Sequence, residues 1–173
     1  MRHPPRIGPL IPVREGVPRR HLSGHLFTFL AWLGITVIAA FLNPSPHAHG
    51  THQQLGLPPC GSVFLFHRPC PGCGLTTSFT ATVHGQFLGA FRAHWLGPII
   101  YLAFTAWAFM GLYGFLTKRY FDTGSAKFTF ALKWFMIVFL TYGIIRFFVV
   151  RLDPQVEPLI FGLSASEFGL STR

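Results

Sequence analysis

Three long apolar stretches alternate with polar segments along the chain. Residues 25–42 and 96–116 contain no Lys, Arg, Asp or Glu, and residues 128–150 contain two basic residues near their ends. A helix needs about 20 predominantly apolar residues to cross the hydrocarbon core of a bilayer. The pattern therefore predicts an all-α membrane protein with three transmembrane helices.

Shorter apolar segments lie between the first and second spans. Residues 75–84 and 86–94 have the composition of helices and are separated by Gly85, and residues 62–66 form another brief apolar run. None of them is long enough to cross a bilayer, and all are too apolar to lie free in water. We expect short re-entrant or interfacial helices at residues 75–94, with Trp95 at the level of the lipid head groups, and we expect residues 62–66 to lie at the interface or to pack on the helices.

The spans divide the chain into three regions. Residues 1–24 are rich in Pro, Arg and His, which predicts a basic, disordered arm. Residues 25–150 form the three-span membrane domain. Residues 151–173 mix acidic and apolar side chains and are predicted to be an extracytoplasmic tail.

The composition supports a protein in contact with lipid. Hydrophobic residues make up 50% of the 173 residues and charged residues 11%, whereas soluble domains carry roughly a quarter charged residues. The net charge of +9 comes from basic residues near the ends of apolar stretches. That distribution is typical of membrane proteins and not of a nucleic-acid-binding face. The lipid bilayer is therefore the expected partner, and no nucleic acid is expected.

The basic residues also predict an orientation. The N-terminal arm has five arginines and the loop after the second span has three basic residues, whereas residues 43–95 carry only Arg68 and Arg92. The positive-inside rule then places the N-terminus in the cytoplasm. The cysteine-containing segment and the C-terminal tail would lie outside, where thiols tend to pair.

The stretch Cys70-Pro71-Gly72-Cys73 holds two of the chain's three cysteines. A Cys-x-x-Cys sequence can supply two zinc ligands or form a redox dithiol, and the same residues could form a structural disulfide or a buried turn. Pro71 and Gly72 favour a tight turn, and the predicted helix from Leu75 begins just after Cys73. Because a helix N-terminus stabilises a thiolate, we expect a lowered pKa for Cys73.

A third cysteine could extend this pair into a metal site. Zinc prefers four sulfur and nitrogen ligands in tetrahedral geometry. The candidate ligands are Cys60, Cys70 and Cys73 with either His67 or His84.

A second cluster of possible metal ligands comprises His47, His49 and His52. Three histidines in six residues can bind copper or zinc. Because Pro, Gly and Gln surround them, we expect a flexible, solvated loop without fixed geometry.

Two cations, Lys133 and Arg146, lie within the third span. Ionisable residues inside a membrane are candidates for function. Both are within about a turn and a half of an end, so we expect their side chains to reach the head groups. No acidic residue lies in any span to pair with them.

The residues around the cysteines resemble a group of small bacterial membrane proteins, a domain of unknown function marked by a CPGCG-Leu-Thr-Arg stretch. The resemblance covers roughly residues 57–115 and rests on Cys60, the stretch 70–76, an apolar helix, Gly85 and a further span.

The chain departs from that family at two places. It has Thr77 where the family usually has arginine, and His94-Trp95 where Asn-Pro would be expected. The resemblance implies an inner-membrane protein with an important cysteine turn, and it implies no activity.

Three functions remain open. The leading hypothesis is a non-catalytic accessory or scaffold subunit of a membrane assembly, because the spans lack charged pathway residues and the chain lacks a complete catalytic set. The second is a membrane thiol–disulfide oxidoreductase that exchanges electrons between Cys70/Cys73 and a quinone, with Cys60 as resolving thiol. The third is a zinc- or copper-binding membrane protein.

Overall fold

The computed structural model describes residues 13–16, 18, 21–121 and 125–152. Its elements, in chain order, are β1 Val13–Glu15, α1 Ser23–Phe41, a 3-10 helix Thr51–Leu55, α2 Gly61–Phe66, α3 Leu75–Val83, α4 Phe87–Ala93, α5 Gly97–Thr117, β2 Arg119–Phe121 and α6 Ala126–Val149. The predicted fold class is confirmed, because the chain is mostly helical and shorter helices lie between the first two long ones.

The long helices α1, α5 and α6 have 19, 21 and 24 residues. At 1.5 Å per residue they measure about 29, 32 and 36 Å. All three are long and apolar enough to cross a membrane. Their bounds lie within two residues of the predicted spans at every end, because each apolar stretch is about as long as the helix that it forms.

The chain forms two compact units, and each long helix contributes residues to both. Of the described residues, those up to 32 and those between 105 and 138 belong to the first unit, and those in 33–104 and 139–152 belong to the second.

In the first unit, two glycines of α5 allow close approach of neighbouring backbone. A Cβ atom at Gly111 would lie 2.9 Å from the carbonyl oxygen of His25 in α1, and one at Gly114 would lie 2.7 Å from that of Arg119. The Trp32 indole N–H donates a 2.9 Å hydrogen bond to Thr105 Oγ1 and joins the same two helices.

A two-stranded antiparallel sheet also belongs to the first unit. β1 pairs with β2 so that Val13 faces Phe121, and the Phe121 N–H donates to His25 Nε2 at 3.0 Å. This pairing has no local signal in the sequence, because each strand has three residues and the two strands lie far apart along the chain. The rest of the predicted arm, residues 1–12, 17 and 19–20, and residues 153–173 of the predicted tail lie outside the described residues.

In the second unit the short helices pack together. Gly85, with a φ of 72°, separates α3 from α4 at the predicted position. The start of α5 touches α3 so closely that a Cβ at Gly97 would overlap Ser78. The Thr36 and Tyr101 hydroxyls lie 2.9 Å apart and join α1 to α5. The second unit thus surrounds the cysteine-containing turn with helices.

Candidate three-cysteine site

The three cysteines lie at two turns of the second unit. Cys60 directly precedes α2, and Cys70 and Cys73 enclose the turn that leads into α3. The Cys73 N–H donates to the Cys70 carbonyl at 3.0 Å and closes this turn. Gly74 follows with a φ of 83°, and a Cβ there would overlap the Ala93 carbonyl oxygen. The turn therefore requires glycine for both its backbone conformation and its packing.

This geometry brings all three thiols together. Their Sγ atoms lie within 4.8 Å of one another, and those of Cys60 and Cys70 are 3.6 Å apart. Cys73 is 6% exposed, and the other two are partly buried. A cavity of about 240 Å³ adjoins the sulfurs, with His52 and Thr76 among its lining residues.

Burial raises the pKa of Cys73 to about 12, and the neighbouring charges of Cys60 and Cys70 add to this effect. The expected lowering of this pKa is therefore wrong. Cys73 does precede a helix, but the cost of an uncompensated thiolate in a buried position outweighs the effect of the helix N-terminus. The positive charge of Arg146 acts in the opposite direction and is too weak to reverse the shift.

The other two thiols differ from each other. Burial and the adjacent Cys60 raise the pKa of Cys70. For Cys60, burial also acts to raise the pKa, but the backbone N–H groups of Val63 and Ser62 together with the other thiols lower it overall. Cys60 is therefore the first of the three to ionise.

Arg146 of α6 binds the backbone around the site. It is 9% exposed, donating from Nη1 to the Cys73 carbonyl at 2.6 Å and from Nη2 to the Ala93 carbonyl at 2.8 Å. The prediction that Arg146 reaches the head groups is therefore wrong. A planar guanidinium fits two neighbouring acceptors that water cannot reach, and α6 packs so closely that a Cβ at Gly143 would lie 2.5 Å from Pro71 Cβ.

Arg68 makes the reciprocal connection. From the segment between α2 and the turn, its Nη1 donates to the carbonyls of Phe147 and Phe148 at 3.2 and 2.6 Å. These carbonyls belong to the C-terminal turn of α6, where cations are favoured. Arg146 thus extends from α6 to the cysteine turn, and Arg68 extends from the segment before that turn to the end of α6.

His94 binds the backbone of the same turn at another residue. Its buried ring donates from Nε2 to the Pro71 carbonyl at 3.1 Å. Burial lowers the pKa of His94, the bond to Pro71 opposes this, and the nearby Arg146 lowers it further. The ring therefore stays neutral and acts as a fixed donor.

Neither histidine predicted as the fourth ligand joins the cluster. His67 ends α2 with a φ of 51°, and its N–H donates to the Val63 carbonyl. The His84 ring bonds through Nδ1 to the Thr80 carbonyl at 2.9 Å. Among the described residues, the ligand atoms within 4.8 Å of one another at this site are the three sulfurs. A ligand role for either histidine stays a prediction.

The histidine loop is folded, so the expectation of a flexible, solvated loop is wrong. His47 is exposed, but His49 is buried, and its Nδ1 donates to the His47 carbonyl at 2.8 Å. His52 lies in the 3-10 helix and lines the cavity beside the cysteines. The three histidines form one group in the sequence, but of these three only His52 lines the cavity beside the thiols.

The fold and the site together define the class of this protein. This is a helical protein whose three apolar helices suggest a multi-pass membrane protein, with three clustered thiols outside those helices. Residues 60–108 match the family described as Protein of unknown function (DUF2752). The matched segment begins at Cys60 and includes all three cysteines, but ends before Arg146. No curated protein and no solved structure matches the chain.

Proposed function

We propose that this protein is a non-catalytic inner-membrane protein that holds a zinc ion at Cys60, Cys70 and Cys73. The observation that carries the proposal is the spacing of the sulfurs. Tetrahedral zinc with bonds of 2.3 Å places two sulfurs roughly 3.8 Å apart. The Sγ atoms of Cys60 and Cys70 are 3.6 Å apart, and each lies at most 4.8 Å from the Sγ atom of Cys73. Small side-chain movements would close the site around one ion.

The electrostatics also favour a cation between the sulfurs. Without one, burial and the neighbouring thiols raise the pKa of Cys70 and Cys73, so that these two thiols stay protonated. A bound divalent ion would favour the thiolates instead, because a thiol that coordinates a metal ion loses its proton. Three thiolates and Zn²⁺ carry a net charge of −1, and the Arg146 guanidinium bonded to the Cys73 carbonyl offsets it.

The role that we assign to the ion is structural. Cys60 precedes α2, and Cys70 and Cys73 precede α3, so one ion would fasten two short helices together. Within the described parts of the three long helices, Arg146 is the buried cation, and it binds backbone carbonyls. This use supports an accessory or scaffold function over a charged transport pathway. Isolation in mild detergent should then recover a stoichiometric membrane partner.

The placement in the membrane is part of the proposal. The charge bias places the N-terminus in the bacterial cytoplasm and the cysteine site outside. Reporter fusions at the ends of the chain and in the loop after α5 should give a cytoplasmic signal at the N-terminus and at this loop alone.

Elemental analysis tests the metal site. The full chain, purified in detergent with reductant and incubated with zinc, should retain one zinc per chain after removal of free metal. The variant with all three cysteines changed to Ser should retain none. A wild-type protein without zinc, or a triple variant that keeps it, would overturn the proposal.

A second candidate function is thiol–disulfide exchange, favoured by the thiol–thiol contact between Cys60 and Cys70 at 3.6 Å. Closing this pair to the 2.05 Å of a disulfide releases two protons and two electrons, which a quinone would accept to become a quinol. The pairing differs from the predicted Cys70–Cys73 dithiol. Mass spectrometry after incubation with quinone should find a Cys60–Cys70 disulfide if this function is the right one, and unchanged thiols exclude it.

A further inference from the structure

The cavity beside the three thiols contains one side chain suited to complete a zinc site. His52 is one of the residues that line the cavity, and no Asp or Glu is among them. The ring is partly buried and sits between Gly50 and Gly56, which bound the 3-10 helix Thr51–Leu55.

A hydrogen bond sets the tautomer of this ring. His52 Nε2 lies 3.2 Å from the Pro58 carbonyl oxygen. A carbonyl can only accept, so Nε2 carries the proton and the lone pair of the neutral ring is on Nδ1. Histidines that bind metals usually donate their other ring N–H to a carbonyl or carboxylate in this way.

The backbone that carries His52 is tied to the cysteine turn. The Thr51 side chain is fully buried, and its Oγ1 donates to Thr77 Oγ1 at 2.9 Å in the first turn of α3. Thr51 Oγ1 also accepts from the Ser45 N–H at 3.0 Å. The 3-10 helix therefore keeps its place beside the helix that follows Cys73.

The charge of the site selects a neutral fourth ligand. Three thiolates, Zn²⁺ and Arg146 sum to zero, so another anion would leave an uncompensated charge in a partly buried place. An imidazole adds no charge, and the chain has no fourth cysteine.

We propose that His52 provides, through Nδ1, the fourth ligand of a closed Cys3His zinc site. This inference rests on the proposed function and deepens it, because four protein ligands make the site structural, whereas three with a water would leave it open for catalysis. The ring nitrogens lie outside the 4.8 Å group of sulfurs. Binding therefore brings Nδ1 of the His52 ring closer to the sulfurs. Gly50 and Gly56, both with positive φ, lie at the ends of the 3-10 helix that carries His52.

Cobalt(II) in place of zinc tests the ligand set, because its absorption reports thiolate bonds and tetrahedral geometry separately. The wild type should show both a thiolate charge-transfer band and intense tetrahedral d–d bands. His52→Asn, which keeps a donor for Pro58, should retain the charge-transfer band and lose intensity in the d–d bands. Its zinc affinity, from competition with a chelator, should fall by roughly tenfold or more.

Two controls separate His52 from its rivals. His47→Ala, at an exposed residue of the same loop, should leave the spectrum and the affinity unchanged. His67→Ala and His84→Ala should behave like His47→Ala. If His52→Asn retains wild-type bands and affinity, or if His67→Ala or His84→Ala causes the loss instead, the assignment of His52 is wrong.

A rescue experiment distinguishes a lost ligand from a lost fold. His52→Gly should bind cobalt with weakened d–d bands, and added imidazole should restore them while far-UV helicity stays constant. Absence of restoration in a helical protein counts against His52 as a ligand. A wild-type protein without any cobalt–thiolate band would instead refute the proposed zinc function, so the two failures are distinguishable.

Discussion

Replacement of Arg146 by Met should be among the most destabilising single changes in the described part of the chain. The two charge-assisted hydrogen bonds to the Cys73 and Ala93 carbonyls have lengths of 2.6 and 2.8 Å. A hydrogen bond to a charged group contributes about 1.5–3 kcal/mol, so the gross loss is about 3–6 kcal/mol. Removing the buried cation also removes its desolvation cost, and we expect a net loss of about 2–4 kcal/mol.

Arg146→Lys should lie between the wild type and Arg146→Met, because one ammonium group replaces a planar fork that serves two carbonyls. The assay is unfolding by dodecyl sulfate in mixed micelles, followed by far-UV circular dichroism, with chelator present so that metal does not contribute. Lys133→Met is the matched control, since Lys133 is an exposed cation of the same helix. An Arg146→Met loss within about 0.5 kcal/mol of that control would refute the reasoning.

Two further predictions concern packing and pH. Gly143→Ala should destabilise the protein more than Gly34→Ala does in the same unfolding assay, because a Cβ at position 143 would lie 2.5 Å from Pro71 Cβ, whereas one at position 34 would meet nothing within 4 Å; equal effects would contradict the contact between α6 and Pro71. Metal-free protein should lose stability as the pH rises from about 9 towards 12, because the unfolded chain releases the Cys73 proton near its ordinary pKa of 9.0 and the folded chain only at about 12. Denaturation midpoints at pH 8 and 10.5 measure this loss, which should be smaller in Cys73→Ser.

The long helices could be predicted from the sequence because their signal is local. Each apolar stretch matches the thickness of a bilayer whatever the rest of the chain does. The break between α3 and α4 was equally accessible, since Gly85 interrupts two apolar segments. The β1–β2 pairing was not, because it joins Val13 to Phe121, and the whole of the first two spans lies between these residues in the sequence.

The site was only partly predictable for the same reason. The spacing of Cys70 and Cys73 fixes their proximity through one turn, and Cys60 was close enough in sequence to be included. Arg146 was recognised as a cation in an apolar span, but nothing local shows that its partners are carbonyls 73 and 53 residues earlier. A charge near the end of a span can reach either the head groups or a neighbouring turn, and only the packing of α6 decides between them.

The burial of Cys73 explains why Arg146 and a metal ion would act on one another. The thiol is enclosed by its own turn and lies next to two further sulfurs, so its ionisation needs positive charge nearby. Arg146 alone lowers its pKa too little to give a thiolate at neutral pH. Zinc would supply the missing charge, and the guanidinium would then neutralise the remaining −1 of the metal-bound site. A cation buried for its hydrogen bonds in the metal-free protein thereby becomes the counter-charge of the metal-bound one.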